Sequence, residues 1–407
     1  MVGYKTPVII VGLSLTGLSL GRILGREGIK VVGLDTGGYS PGTYSKYIEK
    51  ITLDDDYTSS DLVAKLINVA KLFDEKPLLF ADSDCYMMMI DEYRSMLEQY
   101  YILSIPSSKT LKMLTNKYEL YKLCRSLNVD VPGTFIVNNM NDFKMIEKEI
   151  RYPCIIKPVY SCLQHKLNYK AKVIESKESL IEHAIKGVRL DVPILIQEMI
   201  PGSDREYYSV AAYFTNQSVL VGVFTSRKYL QDSKSVGIGV VVEAHRNNMI
   251  EEIGIDLLTR IGYVGMAEIE LKRDVRDGRF KLIEINCRPW LQIGLASKCG
   301  INFPLLAYRD LSGETVNGTC RIKVEGMWIY ARPLLVDLIK NSRYKELRSF
   351  MSLKELACIK GKKIVFAIFA LDDIMPFIHD VIFNITLFLK KICRLLFSKF
   401  IKHGIEN

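Results

Sequence analysis

The stretch Ala267–Pro289, AEIELKRDVRDGRFKLIEINCRP, decides how the rest of the chain is read. Its spacing predicts a β-hairpin. Side chains alternate with period two along a strand, so Glu268, Glu270 and Lys272 share one face of the first arm. Asp274, Asp277 and Gly278 supply the turn. On the returning arm Glu284, Asn286 and Arg288 share a face, while Ile283 and Ile285 share the other. Carboxylates from both arms therefore converge on one side, where like charges repel across the pair. Two arrangements relieve that repulsion. One is a solvated polar face. The other is a bound divalent cation, and oxygen ligands suit Mg²⁺.

Working outward, the 407 residues are enough for two or three domains, and 48% hydrophobic with 25% charged residues describes an ordinary globular protein. Nine cysteines contain no C-x-x-C pair and there are only five histidines. That argues against a zinc cluster or a disulfide framework and for a reducing compartment. The net charge of +9 is uneven: from Lys340 to Asn407 there are 13 Lys/Arg against 6 Asp/Glu. A basic body for nucleic acid is not indicated; a basic tail is. Lys5 followed by a glycine-rich apolar run resembles a signal peptide, but KVVGLD at Lys30–Asp35 follows as a second strand, which favours the start of a folded domain.

Along the chain, Pro7–Leu13 is a buried strand. Gly12, Ser14 and Gly17 form a G-x-S-x-x-G turn into a helix, and Asp35 ends the next strand. This imitates a dinucleotide fingerprint. Ser14 in place of the middle glycine restricts the approach of a pyrophosphate, so a plain βαβ turn and an NAD(P)-dependent enzyme both stay open. Leu62–Phe73 is helical. Pro77–Ala81 is a strand with Asp82 and Asp84 just past its carboxyl end, where open parallel sheets bind ligands; Asp84 also suits the N-cap of a helix over Tyr86–Tyr100. Ser107–Leu127 reads as one or two helices carrying Lys112, Lys117 and Lys122, and Asp142–Ile150 as another. Pro153–Pro158 is a short apolar strand ending in Lys157. An unpaired ammonium there is costly, which points to an anionic partner unless the lysine snorkels out. Ile194–Met199 is a strand with Gln197 and Glu198 at its end. Glu206–Thr215 and Ser218–Thr225 pair around Asn216-Gln217, Arg227-Lys228 follow, Ser233–Gly239 is a loop, and Asn248–Gly262 is an amphipathic helix. After Ser312 the sheet signals weaken to one strand, Met327–Arg332, and one helix, Leu334–Ile339.

The tail is a single helical stripe. Ile374, Phe377, Ile378, Val381, Ile382, Ile385, Phe388, Leu389, Ile392, Leu395 and Leu396 recur at spacings of three and four. Asp373 and Pro376 suit its start. The other face holds His379, Asp380, Asn384, Lys390, Lys391, Arg394 and Lys399. Asp372, Asp373 and Asp380 interrupt the apolar run, which argues against a transmembrane span. Two destinations stay open: packing on the body or on a second subunit, or a membrane surface with the basic end near anionic lipid.

The order of these signals resembles the ATP-grasp superfamily, and within it the carboxylate–amine ligases similar to D-aspartate ligases. The resemblance rests on TNKYELYKLCRSLNVDVP, PCIIKP, IQEMIPGSDREY, TSRKY, and EIEL with LIEINCRP, in that order over Pro7–Gly313. It implies an α/β (α+β ATP-grasp) chain: a Rossmann-like pre-ATP-grasp domain over 1–105, an ATP-grasp domain over 106–320 with a lid subdomain near 150–196, an extension over 321–360 and a basic amphipathic helical tail over 361–407. It implies ATP with Mg²⁺, or Mn²⁺, as cofactors. Lys117 and Lys157 would hold phosphates. Gln197, Glu198 and Ile200 would form the linking strand where adenine packs, and Glu206 would meet the ribose. Lys228 with Arg227 would contact the β- and γ-phosphates. Glu270, Glu284 and Asn286 would hold the metal, Arg288 would face the reacting groups, and Glu268 and the turn aspartates would be bystanders.

The implied reaction joins a small-molecule carboxylate to an amine through an acyl phosphate, with an amino acid added to a cell-envelope or polysaccharide precursor as one form of it. The implied setting is cytoplasmic, with peripheral contact at the inner face of the membrane, or a homodimer, left open by the tail. One departure stands out. Many ATP-grasp chains carry a glycine-rich loop after the second lysine, whereas VYSCLQHKLNYKAK here has no glycine; Ser161, backbone amides and Lys166 or Lys170 are the donors at hand. A degenerate, non-catalytic nucleotide-binding module is therefore a rival reading.

Overall fold

The computed structural model describes residues 6–35, 37–53, 57–232, 237–333 and 361–405. The helix Leu334–Ile339 and part of the loop Ser233–Gly239 lie outside them. The first unit is a parallel sheet. β1 (Val8–Val11) leads through α1 (Leu15–Arg26) to β2 (Val31–Asp35) and β3 (Glu49–Thr52). From there α2 (Ser59–Ala70) returns to β4 (Leu78–Ala81), and α3 (Asp84–Glu92) with the one-turn α4 (Arg94–Leu97) leads to β5 (Ile102–Leu103). The strand order is β3-β2-β1-β4-β5, every neighbour parallel. The central strands are buried on both faces, which is why VIIV and LLFA read as unbroken apolar runs.

The Ser107–Leu127 segment divides into α5 (Ser108–Thr115) and α6 (Lys117–Ser126). Asn116 divides it: its backbone leaves helical geometry, and its side chain accepts from the amides of Tyr118 and Glu119 as the N-cap of α6. A second, antiparallel sheet follows from β6 (Thr134–Val137), past α7 (Met140–Ile146), to β7 (Cys154–Pro158). It continues over α8 (Gln164–Leu167), β8 (Lys172–Ile174), α9 (Lys177–Arg189) and β9 (Ile194–Glu198). Its order is β6-β9-β7-β8, and it has its own core of Phe143, Ile156, Leu180 and Ile194. This unit starts at β6, earlier than the boundary near 150 expected from the sequence, because the strand before α7 pairs with β9.

The third sheet holds β10 (Tyr207–Phe214), β11 (Leu220–Gln231) and β12 (Gly239–Ala244). After α10 (Asn248–Arg260) come β13 (Gly265–Arg273), β14 (Phe280–Asn286), α11 (Ile293–Lys298) and α12 (Phe303–Leu311). β15 (Gly326–Ile329) and β16 (Lys363–Phe366) close it, in the order β14-β13-β10-β11-β12-β15-β16. Residues 326–329 and 363–366 thus add two strands to this sheet, with β16 at its edge. β11 also runs six residues past Thr225, the end expected from the sequence, because its second half pairs with β12. Arg227 and Lys228 are consequently strand residues.

The tail helix α13 (Met375–Ile405) meets the body through polar groups. Arg22 on α1 donates Nε to Asp373 Oδ2 at 2.8 Å and Nη2 to the Asp373 carbonyl at 2.7 Å. Ser45 Oγ and the Lys46 amide donate to the same carboxylate at 2.6 and 3.0 Å. Asp372 accepts from Arg26 and Tyr47, each at 2.8 Å. Further along, His379 stacks on Tyr44 and Phe383 on Tyr39, with centroids 3.7 and 4.2 Å apart. Over residues 381–389 the apolar stripe faces away from the body: Ile382, Ile385 and Leu389 are each 54% exposed and Phe388 64%. Packing on the body therefore does not account for the stripe. Because Arg22 and Asp373 are both buried, removing one leaves the other uncompensated. Asp373→Ala is expected to lower stability by ~3–5 kcal/mol in urea unfolding; a loss below about 1 kcal/mol would show that the pair does not anchor the tail.

Candidate active site

The opening hairpin is β13 and β14, and its register decides the site. Glu270 stands directly opposite Glu284, and Glu268 opposite Asn286. A bulge after Glu270 leaves Ile283 without a partner and turns it to the same side. The turn is closed by Asp274, which is fully buried and binds Arg276 and Lys281. Arg276 also reaches Glu198 at the end of β9, so the hairpin turn is tied to the strand that links the second and third sheets.

Glu270 and Glu284 face a cavity of about 200 Å³ between the second and third sheets. Lys117, Lys157, Lys170, Lys228 and Lys272 line it, together with Gln197, Glu198, Ile200 and Tyr207. Each basic group has a defined holder. Lys157, from the apolar strand β7, is buried and donates to Tyr121 Oη at 2.8 Å, and Tyr121 in turn donates to the Ile283 carbonyl at 2.6 Å. Lys117, at the first position of α6, donates to Ser161 Oγ at 2.7 Å. Lys228 Nζ meets Glu270 Oε2 at 2.9 Å, and Lys170 Nζ meets Glu284 Oε1 at 3.2 Å. Lys272 donates to the Ile200 carbonyl at 2.7 Å. The Tyr207 ring lies under both Lys228 and Lys272, at 4.8 and 4.5 Å from its centroid.

The electrostatics follow from burial and neighbours. Burial pushes the Glu284 carboxyl up, but Lys170, then Lys117, Lys157 and Lys228, overcome it and hold the group below the ordinary carboxylate range. Burial pushes Lys157 down to about 8 and Lys272 likewise to about 8. Glu268, buried next to Glu270, is pushed up to about 7 by burial first and by that neighbour second. The result is a positive pocket with the Glu270 and Glu284 side chains at its floor. Such a pocket is built for a polyanion together with a divalent cation. Among the described residues no group of three or more His, Cys, Asp or Glu side chains is gathered to hold a metal. Two carboxylates with the remaining positions left to water or phosphate oxygens is the pattern that Mg²⁺ accepts, and here lysine ammonium groups stand in for that positive charge.

The structure gathers Lys117, Lys157, Gln197, Glu198, Ile200, Lys228, Glu270 and Glu284 on this cavity. It does not gather all the residues singled out from the sequence. Arg227 lies on the opposite face of β11, directly across from Glu243, and binds it with Nε at 2.9 Å. The reason is strand alternation: neighbouring residues on a strand point to opposite faces. Glu206 is bound to Arg273 at 2.7 Å and is absent from the cavity walls. Asn286 gives its amide to Glu268 Oε2 at 3.1 Å and accepts from Arg288 at 3.3 Å. It sits one pair along from the cavity, and Glu268 engages it directly, which is more than a bystander does. Arg288 pairs with Asp84 at 2.8 Å, at the carboxyl edge of the parallel sheet. Sequence reasoning gave no role to Lys272 or Tyr207; the period of two that grouped Lys272 with Glu270 was the available signal for the lysine.

The glycine turn after β1 has no room for a dinucleotide. Gly12 has φ +87°, and a Cβ there would lie 2.1 Å from Asp82 Oδ1. Asp82 Oδ2 accepts from the Ser14 amide at 2.9 Å, so a carboxyl group from just past β4 fills the place a pyrophosphate needs. This removes the structural basis of the NAD(P) alternative.

Comparison with known proteins agrees with this geometry. Residues 114–290 match the model of the ATP-grasp domain. These residues form an ATP-grasp domain. A D-aspartate ligase of Enterococcus faecium is 27% identical over 300 residues, covering 66% of this chain and 71% of that one. Among solved structures, an N5-carboxyaminoimidazole synthetase from Staphylococcus aureus superposes with a TM-score of 0.61 at 13% identity, over 83% of this chain and 86% of that one. The biotin carboxylase domain of a Hydrogenobacter thermophilus 2-oxoglutarate carboxylase, in complex with MgADP, gives 0.63 at 13% identity, over 80% and 74%. With this domain and this relative, the chain is an ATP-dependent ligase of the carbon–nitrogen type. The two faces of β11 give a direct test. Lys228→Ala is expected to weaken Mg-nucleotide affinity about tenfold or more in titration calorimetry, the loss of one charge-assisted contact, whereas Arg227→Ala is expected to change it by less than about twofold. Equal losses would contradict the separation of the two side chains.

Proposed function

We propose that this ligase activates a small-molecule carboxylate with ATP and couples it to an amine, and that the finer form of the reaction adds an amino acid to a cell-envelope precursor. The observation that carries the reading is the cross-strand pair Glu270–Glu284 on the floor of a lysine-lined cavity. The name of the D-aspartate ligase relative supports an amino acid as one substrate.

In this reading Glu270 and Glu284 hold the metal ion, which when bound neutralises phosphate charge. Lys117 and Lys157 hold phosphates from the side of the second sheet, and Lys228 does so from the third. Gln197, Glu198 and Ile200 form the floor under adenine. Glu198 serves there through its backbone, since its carboxylate is committed to Arg276 and the Gly133 amide. Glu206 and Arg227 have no part. Arg288, with Asn286 beside it, faces the acceptor side and orients the carboxylate whose oxygen attacks the γ-phosphorus as ADP leaves. The amine then attacks the acyl carbon and phosphate leaves. Both transition states are anionic, so the work is positioning and charge stabilisation. Glu284→Gln and Lys157→Ala should each abolish amino-acid-dependent ADP release, assayed over a panel of amino acids and amines, while circular dichroism stays native. ADP release near the wild-type level from either folded variant would refute the assignment. A wild-type protein that binds Mg-ATP but releases no ADP would favour the non-catalytic module.

The tail supports a membrane surface as the place of action. No helix among the described residues is long and apolar enough to cross a membrane. The exposed stripe of α13, with Lys390, Lys391, Arg394 and Lys399 in its sequence, suits an anionic lipid surface, where apolar area and basic charge act together. The double variant I382D/F388D should lose co-sedimentation with phosphatidylglycerol vesicles and keep its melting temperature, since both side chains are exposed. Retained sedimentation, or a wild-type dimer in light scattering that this variant dissolves, would overturn lipid as the occupant.

A further inference from the structure

The segment that follows Lys157 has no glycine, and what it does instead is visible in its backbone. After β7 the chain makes a short turn over Ser161–Leu163 and the single helical turn α8. Asn168 then takes the left-handed conformation, with φ 63°. Asparagine tolerates that region better than most residues. The reversal brings Lys170 and Ala171 to the wall of the nucleotide cavity, while Lys166 stays exposed on α8 and is not on that wall. Glycine loops over phosphates work through backbone amides. This segment brings a side-chain cation to the same mouth.

Lys170 differs from the other lysines in what holds it. Lys117 and Lys157 are buried on regular elements and bonded to hydroxyl groups, and Lys228 sits mid-strand with its side chain 10% exposed. Lys170 has a side chain 54% exposed, comes from a connecting segment, and reaches in from the solvent side to Glu284, which is 12% exposed. Its ion pair with Glu284 therefore joins a half-exposed ammonium to a mostly buried carboxylate, so the lysine end can swing back to solvent while Glu284 stays in place. The carboxylate it touches is the one that stands opposite Glu270 at the floor of the site. A divalent cation on that pair and an ammonium on the same Glu284 oxygen compete for one lone-pair region.

We propose that Lys170 is an exchanging phosphate cap: without nucleotide it neutralises Glu284, and on entry of metal-nucleotide it releases Glu284 to the metal ion and transfers its ammonium to the terminal phosphate. This rests on the ligase reading above and adds a residue to it. The transfer explains how a glycine-free segment covers phosphates, and it keeps the carboxylate pair from standing unneutralised in the empty site. No bond is made or broken; only ion-pair partners change.

The test measures two affinities with opposite expected signs, on the full-length protein. In the absence of nucleotide, Lys170→Met should bind Mn²⁺ up to about fivefold more tightly than wild type by electron paramagnetic resonance titration, because the competing ammonium is gone. The same variant should bind a non-hydrolysable Mg-ATP analogue about tenfold more weakly by calorimetry, because the cap is gone. Lys170→Arg should restore analogue binding in part, and Lys166→Met should leave both affinities as in wild type. An unchanged or weakened Mn²⁺ affinity in Lys170→Met, or an unchanged analogue affinity, would overturn the exchange. The Mn²⁺ measurement reads Lys170 whether or not turnover is seen, whereas failure of wild type to bind the analogue would strike the ligase reading itself.

Discussion

Two carboxylates placed opposite each other across a strand pair repel by on the order of 3 kcal/mol at an effective dielectric near 20, and the site around Glu270 and Glu284 is arranged to cancel that cost. Lys228 and Lys170 each meet one of the two, while Lys117 and Lys157 add their field from buried positions. The dependence runs both ways. Without the carboxylates, the five lysines around one small cavity would repel one another in the same way. Charge balance among these side chains therefore leaves an excess of positive groups, which is what a triphosphate with its metal ion requires.

That balance is held by backbone geometry from three separate regions. The hairpin fixes the carboxylates by register. β7 delivers Lys157 from an apolar strand, braced by Tyr121 against the Ile283 carbonyl of the hairpin itself. Arg276 and Glu198 join the hairpin turn to the end of β9. The second sheet has a core of its own, but Leu195 of β9 and Val159 just after β7 pack into the core of the metal-side strands, so packing and polar contacts together join the two.

The rest of the chain is joined by the same kind of compensation. Asp82 fills the glycine turn after β1, so the parallel sheet keeps the shape of a dinucleotide unit without its ligand space. Arg22 and Arg26 on α1 receive Asp373 and Asp372 from the far end of the chain. These contacts fix the start of α13, and His379, Asp380 and Phe383 hold one side of it to the body, leaving residues 381–389 of the apolar stripe outward.

Much of this was legible in the sequence because strand and helix periods are local. Period two put Glu270 and Glu284 on converging faces, period 3.6 outlined the tail stripe, and the order of the lysine-bearing motifs identified the superfamily. Where the sequence fell short, the missing information was a pairing between distant segments. The extent of β11 depended on β12, and with it the face on which Arg227 lies; the role of Asn286 depended on which side chain stood opposite. The direction of the tail stripe depended on aspartates finding arginines on α1. The sequence by itself determined which chemical groups this protein has and the local face each occupies, because those follow from backbone periodicity. Only the tertiary structure decided which of those faces meet, since a cavity, an ion pair and an exposed stripe are each set by long-range packing and not by the residues adjacent in the chain.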